Sequence, residues 1–436
     1  MGTVFVAKVQ SRHVCDQFIC SILTYHFAFA IEMRRLIRNF DYQLRQAWLT
    51  SSTFTEIENG RLNKIGRRKQ LFIIIMGSVM ITKWALTSYL YLCNDKDREL
   101  GQYYLLDYME SIGLMGRMYN IVYFLEVMFV VGNTITVRKH EGKGKLFCLT
   151  DLAKFLERNA RRAYFTRDGK GRNELQYFFK VTVFIARTFT IVTIFTISFM
   201  QISGVVLHCY KSSDISHNVV SVVMCIFILF WQQMAVKNLV AASVVIILVT
   251  NYLRYLIRKT NNLLSGVIKQ TIVVEADIDE VIRLVGNMTQ IVKRFNHTMQ
   301  YFVQNLVVTA CPSMAVVIYF FIADLEPKLK WFVFTSSSSY MILKITNELY
   351  VASLNVLIQE TYVRLNSLYT RKIFYNREVS LATKMKVRRE ITGIFSYHHP
   401  LGLTIGISGG LLTTSLVCHL MSHTTSLTVL ILNPIV

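Results

Sequence analysis

Residues 61–93 read RLNKIGRRKQLFIIIMGSVMITKWALTSYLYLC, a cluster of basic residues followed by a long apolar stretch. The apolar part, 71–93, has the length of about 20 residues that a helix needs to cross the hydrocarbon core of a bilayer. A helix is suited to that environment because it pairs its backbone polar groups internally. The stretch therefore predicts a membrane-spanning helix with a basic cluster at one membrane surface.

Six further segments of the same character follow along the chain. Their approximate ranges are 114–137, 181–207, 219–245, 301–322, 331–357 and 401–432. We therefore predict an all-α membrane protein with seven transmembrane helices in one domain, 71–436, after a cytoplasmic amino-terminal segment, 1–70. Within that first segment, residues 14–33 carry Asp16, His26 and Glu32, which favours an amphipathic or buried helix over a full span.

The composition supports a membrane protein and bears on the choice of partner. Hydrophobic residues make up 53% of the chain, charged residues only 17%, and the formal net charge is +21. Soluble domains typically carry about 25% charged residues. In a soluble protein such a basic excess would suggest nucleic acid as the partner, whereas in a membrane protein it suggests basic cytoplasmic loops.

The loops decide between these two interpretations. The segments before the first span and after the second, fourth and sixth are rich in Lys and Arg, and those between are short, acidic or balanced. Because cytoplasmic loops carry the positive excess, the amino terminus is predicted to be cytoplasmic and the carboxyl terminus extracellular. This alternation excludes nucleic acid as the partner.

Two cytoplasmic segments are predicted to be helical. The fourth apolar run continues from Val219 to about Tyr255, too long for one crossing, which predicts a helix that projects into the cytoplasm. A second segment repeats apolar residues at helical spacing. These residues are Ile278, Val281, Ile282, Val285, Met288, Ile291 and Val292.

No motif indicates an enzyme, a metal site or a cofactor. Residues 406–410 match the GxSxG pattern of serine hydrolases, but they begin a membrane span rather than a strand-to-helix turn. Glycines 402, 406 and 410 instead favour close helix packing or a local break. His419 and His423 share a helix face without a third ligand. We therefore predict no catalytic residue, no bound metal and no cofactor.

Ionisable residues inside predicted spans are costly unless they face a bundle interior or water. They are Lys83, Glu126, Arg187, Lys344 and Glu348. Lys344 and Glu348 are four residues apart on one helix face. They form either a structural ion pair or part of a solvated cavity that admits a polar ligand.

The layout resembles that of the insect gustatory receptors and the related odorant receptors. The shared features are a cytoplasmic amino terminus, short outer loops, long helical segments after the fourth and sixth spans, and almost no carboxyl tail. The gustatory signature is Thr-Tyr, five hydrophobic residues and Gln-Phe. Its best match here is Thr425-Ser426, residues 427–431 and Leu432-Asn433, which makes the chain a divergent member.

The resemblance implies a ligand-gated cation channel that senses a small tastant, such as a sugar or a bitter compound. It implies a homotetramer, or a heteromer with related receptors, in the lipid bilayer of the plasma membrane of a sensory neuron dendrite. The outer half of the seventh helix would line the pore, which makes Thr425, Ser426 and Leu432 the pore candidates. The ligand-pocket candidates are Gln201, Trp231, Gln232, Ser313, Tyr319, Tyr340 and Lys344.

Two other functional classes, rhodopsin-like receptors and secondary transporters, agree less well with the sequence. Residues 432–436, LNPIV, are similar to the Asn-Pro motif in the seventh helix of rhodopsin-like receptors coupled to G proteins. However, no Asp-Arg-Tyr follows the third span, and the loop charges give the opposite orientation. A secondary transporter should show repeated halves, and none is found.

Overall fold

The computed structural model describes most of the chain. It covers residues 35, 37–90, 114–142, 169–322, 327–394, 401–404, 411–413, 415–420, 422, 423 and 426. Within these ranges, the side chains of 58, 88, 90, 114–122, 169–176, 310–322 and 327–343 are outside the described set.

The described residues are almost entirely helical. A helical segment, α1, covers residues 37–46. The others are α2 Phe54–Glu58, α3 Lys64–Leu90, α4 Leu114–Gly142, α5 Gly169–Lys211, α6 Ile215–Lys269, α7 Glu275–Ile322, α8 Pro327–Leu368 and α9 Leu381–Ile394. A π-helical turn, Tyr369–Ile373, extends α8.

Hydropathy identifies membrane-crossing helices directly in the described part of the chain. Lys64–Thr87, Tyr177–Lys211 and Ile215–Lys269 are long and apolar enough to cross a membrane. The predicted class, an all-α membrane protein, is confirmed. The bounds of the seven-helix domain and of the segment before it remain predictions.

The helix α6 is a single element of 55 residues. At 1.5 Å per residue it is about 80 Å long, well over the roughly 30 Å of a bilayer core. Asp214 starts it, because its Oδ1 accepts hydrogen bonds from the backbone N–H of Ser216 and His217 at 2.9 and 3.2 Å. The run after Val219 is one continuous helix, as predicted. Its projection into the cytoplasm stays a prediction.

The amphipathic stretch at the start of α7 buries the face that the sequence predicts. Ile278, Val281, Val285, Met288 and Val292 are all buried. The short helix α9 packs against this part of α7. Glu275 accepts hydrogen bonds from the hydroxyl groups of Ser380 and Thr383 at 2.7 and 2.6 Å, and these bonds hold the pKa of Glu275 below its ordinary value.

A set of polar contacts, which we call the Glu141 junction, joins residues 49–51, the start of α3 and the end of α4. The Glu141 carboxylate accepts hydrogen bonds from the backbone N–H and the hydroxyl group of Ser51, at 2.8 and 2.7 Å, and from Gln70 Nε2 at 3.0 Å. Burial nevertheless raises the pKa of Glu141. Gln70 Nε2 also donates to the carbonyl oxygen of Leu49, so both ends of the junction are fixed.

Gly66 allows the chain to pass this junction at close range. A Cβ atom there would lie 2.0 Å from the backbone carbonyl oxygen of Ser51. Backbone atoms cannot move aside as a flexible side chain can. We therefore expect Gly66→Ala to lower the free energy of unfolding by about 1–3 kcal/mol.

Thermal unfolding of the purified protein in detergent measures this change. Gly266→Ala is the matched control, because a Cβ atom there meets nothing within 4 Å. It should leave stability unchanged or raise it slightly, since alanine favours helix more than glycine does. Equal midpoints for the Gly66→Ala protein and the wild type would contradict the close approach.

The chain is not helical where the predicted seventh span begins. Gly402 has a φ of 152°, which favours glycine, and Thr404 and Leu411 form an isolated antiparallel bridge. Helix is described at 415–420 and in short pieces up to 426. Of the two roles considered for the glycines, the local break is therefore observed at Gly402, while Gly406 and Gly410 lie outside the described residues.

Two asparagines hold this break in place. Asn355 Nδ2 donates to the carbonyl oxygens of Leu403 and Leu412 at 3.0 and 2.9 Å, and its Oδ1 accepts from Leu403 N at 2.9 Å. Asn296 on α7 holds Thr404 in the same way, with 2.8 Å between Thr404 N and Asn296 Oδ1. We call this set of contacts the asparagine clamp.

Candidate ligand-binding site

A cluster of buried polar side chains lies on α8 in the predicted sixth span. Lys344, Asn347 and Glu348 are 2%, 0% and 3% exposed. These positions fall on adjacent turns of the helix, so their side chains share one face. Because α8 packs against α6 and α7, this face is directed into the helix bundle.

Lys344 connects α8 with two neighbouring helices. Its Nζ atom donates to the carbonyl oxygen of Thr309 on α7 at 3.3 Å. The same atom lies 5.7 Å from the centroid of the Phe129 ring on α4. Its charge also acts on the carboxyl groups of Glu126 on α4 and Glu348 on α8. The ammonium group of Lys344 therefore acts electrostatically on two carboxyl groups.

Oε1 of Glu348 on α8 and the indole Nε1 of Trp231 on α6 are buried atoms that have no hydrogen-bond partner among the described residues. Buried polar groups are normally hydrogen-bonded to protein or to ordered water. Unpaired atoms of this kind therefore suit a site that receives the polar groups of a ligand or of water.

A chain of aromatic rings joins α3, α4 and α6. Trp231 on α6 is buried, and its ring centroid lies 6.1 Å from that of Tyr123 on α4. Tyr123 in turn meets Trp84 on α3 edge to face at 4.2 Å. Tyr123 and Glu126 lie one turn apart on α4, so the rings and the carboxyl group are neighbours. The arrangement joins apolar faces to a few polar groups, as small-molecule sites do.

Of the remaining pocket candidates, Gln201 and Gln232 have described side chains, and both are buried. Gln201 on α5 is buried at the α5–α6 interface, where its carbonyl oxygen lies 3.9 Å from Cys225 Sγ. Gln232 is buried next to Trp231. Ser313, Tyr319 and Tyr340 lie on the described backbone of α7 and α8, but their side chains lie outside the described set.

The pore candidates are only partly described. Ser426 is helical and exposed, whereas Thr425 and Leu432 lie outside the described residues. His419 and His423, one turn apart before Ser426, approach each other to 2.9 Å between their Nε2 atoms. The pore and pocket residues remain predictions.

An amide pair, Asn133 and Asn305, and the aromatic ring of Phe129 are not among the residues predicted from the sequence. Asn305 on α7 donates through Nδ2 to Oδ1 of Asn133 on α4 at 3.0 Å. Gly132 allows this contact, because a Cβ atom there would lie 2.8 Å from Asn305 Nδ2. Both asparagines lie inside predicted spans, and a search for buried amides as well as charges would have found them. Phe129 carries no such signal, because an aromatic residue in a span is ordinary.

Comparison with known proteins gives a match in fold and none in sequence. No family model and no curated protein matches the chain. The structure of the insect olfactory receptor OR5 from Machilis hrabei in complex with eugenol matches with a TM-score of 0.64 and 10% identity, covering 92% of this chain and 99% of that one. A second structure of the same receptor gives a TM-score of 0.63, with the same identity and coverage. The chain has the insect olfactory receptor fold.

This fold agrees with the chemoreceptor layout that the sequence predicts. The match extends over nearly the whole of both chains, so it includes the long helices as well as the membrane spans. At 10% identity the likeness concerns the fold and does not transfer individual residues. The roles of the polar cluster must therefore be argued from its own chemistry.

Proposed function

We propose that the chain is a subunit of a ligand-gated cation channel of the gustatory type, which senses a small polar molecule. The observation that carries the proposal is the olfactory receptor fold over 92% of the chain, with a buried, acceptor-rich cluster among its membrane helices. The channel acts in the plasma membrane of a chemosensory neuron dendrite. It assembles as a homotetramer or with related receptors.

The chemistry of the cluster favours a ligand that donates hydrogen bonds. Glu348 on α8 offers a carboxylate oxygen, and Trp231 on α6 offers an apolar face and one N–H group. Hydroxyl groups of a sugar, or the amine of a bitter compound, complement the two carboxyl groups on which Lys344 acts. The rings would stack on the apolar face of either ligand.

The helix α8 gives a direct route from this site to the pore. Glu348 and Asn355 are seven residues apart, which places them two turns apart on the same face. A ligand that moves Glu348 would therefore also move the asparagine clamp. The clamp holds residues 403 and 412, in the first part of the predicted seventh span, 401–432, whose outer half carries Thr425, Ser426 and Leu432 as pore candidates.

Currents evoked by a panel of sugars and bitter compounds test the proposal. The receptor is expressed in cells whose G-protein signalling is blocked, and we expect a cation current in response to at least one compound. Glu348→Gln should raise the half-maximal concentration by about tenfold or more, since a hydrogen bond to a charged group contributes about 1.5–3 kcal/mol. Glu360→Gln on the same helix is the control, because its surface pair with Arg364 contributes little.

Three outcomes would contradict the proposal. Substrate uptake without current would indicate a transporter. A response that disappears when G-protein signalling is blocked would indicate a receptor coupled to G proteins. A carboxyl-terminal tag that stains only after permeabilisation would reverse the predicted orientation.

A further inference from the structure

The loop between the π-helical turn and α9 is exposed. It comprises residues 374–380, which are not helical. Arg377 and Ser380 are exposed, and Leu381, directly after the loop, is 74% exposed. Val379 is buried and fixes the loop to the rest of the fold. Exposed polar loops are the segments that enzymes acting on proteins reach most readily.

This loop has the charge pattern that basophilic protein kinases recognise, the kinases that select a serine by a nearby arginine. Arg377 stands three residues before Ser380, and the apolar Leu381 follows Ser380 directly. Such kinases bind the arginine through acidic side chains, so the charge pattern of the substrate gives the specificity. Among the described residues Arg377 forms no ion pair. The loop also belongs to the basic segment after the sixth span, which the positive-inside rule places in the cytoplasm, where kinases and ATP are found.

The same spacing occurs twice more after the sixth span, but inside helices. Thr392 follows Arg389 by three residues within α9, and Ser367 follows Arg364 by three residues near the end of α8. The Thr392 hydroxyl group donates to a backbone carbonyl oxygen of its own helix at 3.0 Å. A kinase would have to unwind a helix to reach either residue, whereas Ser380 lies in a loop. The fold therefore favours Ser380.

Ser380 joins α9 to the start of α7. Its hydroxyl group donates to Glu275 Oε1 at 2.7 Å, and that of Thr383 donates to the same oxygen at 2.6 Å. Ser380 Oγ also accepts from Thr383 N at 3.2 Å, so it caps α9. A second link between these helices is the ion pair of Lys386 and Asp279 at 3.6 Å. A change at Ser380 therefore acts on one of two links.

We propose that Ser380 is a phosphorylation site of a basophilic serine kinase, and that the phosphate opens the contact between Ser380 and Glu275. The kinase transfers the γ-phosphoryl group of ATP to Ser380 Oγ. The bond between the γ-phosphorus and the bridging oxygen breaks, and ADP leaves with the bonding electrons. The hydroxyl proton passes to a carboxylate of the kinase.

A phosphate on Ser380 is incompatible with the hydrogen bond to Glu275. The modified oxygen has no hydrogen to donate, and the phosphate brings a charge of about −1.5 to −2 next to a carboxylate. The first N–H groups of α9 and the helix dipole attract the phosphate, so it stays with α9. The start of α7 therefore separates from α9 at this end, while Lys386 and Asp279 keep the second link.

The other end of α9 is bonded to the segment that the asparagine clamp holds. Leu401 N donates to the carbonyl oxygen of Ile394, the last residue of α9, at 3.2 Å. A change in the way α9 lies on α7 thereby reaches the start of the predicted seventh span. The modification site itself does not depend on the proposed function.

Treatment of the purified full-length protein in detergent with a calcium/calmodulin-dependent protein kinase and ATP tests the site. Mass spectrometry of proteolytic fragments should find phosphate at Ser380 before Thr392 or Ser367. Arg377→Ala should lower the initial rate at Ser380 by at least about tenfold, because the kinase loses hydrogen bonds to a charged group. Arg371→Ala is the matched control, since Arg371 is exposed and nine residues before Ser380. Size-exclusion profiles show that each variant is folded.

Hydrogen exchange tests the effect of the phosphate. Phosphorylation should speed amide exchange at the start of α7 by at least about threefold, because local opening sets that rate. In the Glu275→Gln protein the change should be much smaller, since glutamine carries no charge and its amide can donate to the phosphate. Glu280→Gln is the control, because Glu280 is exposed on the same helix and pairs with Arg283 instead.

Four results would overturn the proposal. They are no phosphate at Ser380, an unchanged rate in the Arg377→Ala protein, phosphate at Ser380 without faster exchange in α7, and an undiminished response in the Glu275→Gln protein. The first is expected if a second copy of the chain covers the loop. None of these readouts uses current, so their failure and the failure of the proposed function are distinguishable.

Discussion

Replacement of Asn355 by leucine is expected to lower the free energy of unfolding by at least about 3 kcal/mol. The side chain makes three hydrogen bonds to the backbone of Leu403 and Leu412, all between 2.9 and 3.0 Å. Each buried group that loses its partner costs about 1–3 kcal/mol. Leucine has a similar size and restores none of the three bonds, so this cost is not offset by packing.

The same substitution should uncouple ligand from pore in the proposed channel. Current per surface receptor should fall by at least about tenfold, because the break at the start of the predicted seventh span is no longer held by α8. Thermal unfolding measures stability, and currents normalised to surface labelling measure coupling. Asn366→Leu is the control, since Asn366 lies on the same helix outside the clamp and only its carbonyl oxygen accepts a described hydrogen bond. An Asn355→Leu receptor with wild-type stability and current would contradict the clamp.

Replacement of Lys344 by methionine should have a comparable effect on stability. Methionine keeps the length of the side chain but removes the ammonium group whose charge acts on Glu126 and Glu348. Loss of the counter-charge of a buried charged group costs about 3–5 kcal/mol, because the remaining charge is buried without compensation. We expect a lower unfolding midpoint and less receptor at the cell surface.

A second substitution makes the prediction specific to charge. Glu348→Gln in the Lys344→Met background removes one of the two unpaired carboxyl groups, so it should recover part of the lost stability. A double-mutant cycle isolates this coupling from the loss of packing. Lys269→Met is the control for a lysine on an exposed helix end. If the double variant is no more stable than Lys344→Met, the charges do not interact.

These two predictions concern two sets of contacts made by the same helix, α8. Lys344 links α8 to α4 and α7 through its contacts with Phe129 and Thr309. Asn355 links α8 to the segment that follows residue 400. Both lie on the face of α8 that is directed into the bundle. The helix therefore carries the candidate ligand site and the clamp on one rigid surface.

Much of the fold follows from local properties of the chain. The length of an apolar run and the charge of a loop are sums over neighbouring residues, and each has a direct physical consequence in a bilayer. The continuous helix after Val219 and the buried face from Ile278 to Val292 were therefore predictable. The glycine spacing near the start of the seventh span left two roles open, close helix packing or a local break, and the structure shows the break at Gly402.

The polar contacts between helices are different in kind. Asn355 meets residues 48 and 57 positions away, and Asn305 meets a residue 172 positions away. Nothing in the sequence near either asparagine names its partner, because the partner depends on which helix faces pack together. Similarly, Lys344 was visible as a charge in a span, but its contacts with Thr309 and Phe129 were not. Hydrophobicity and loop charge thus determined the class and the elements, whereas helix packing alone decided which buried polar groups meet, because hydrogen bonds act only over a few ångströms.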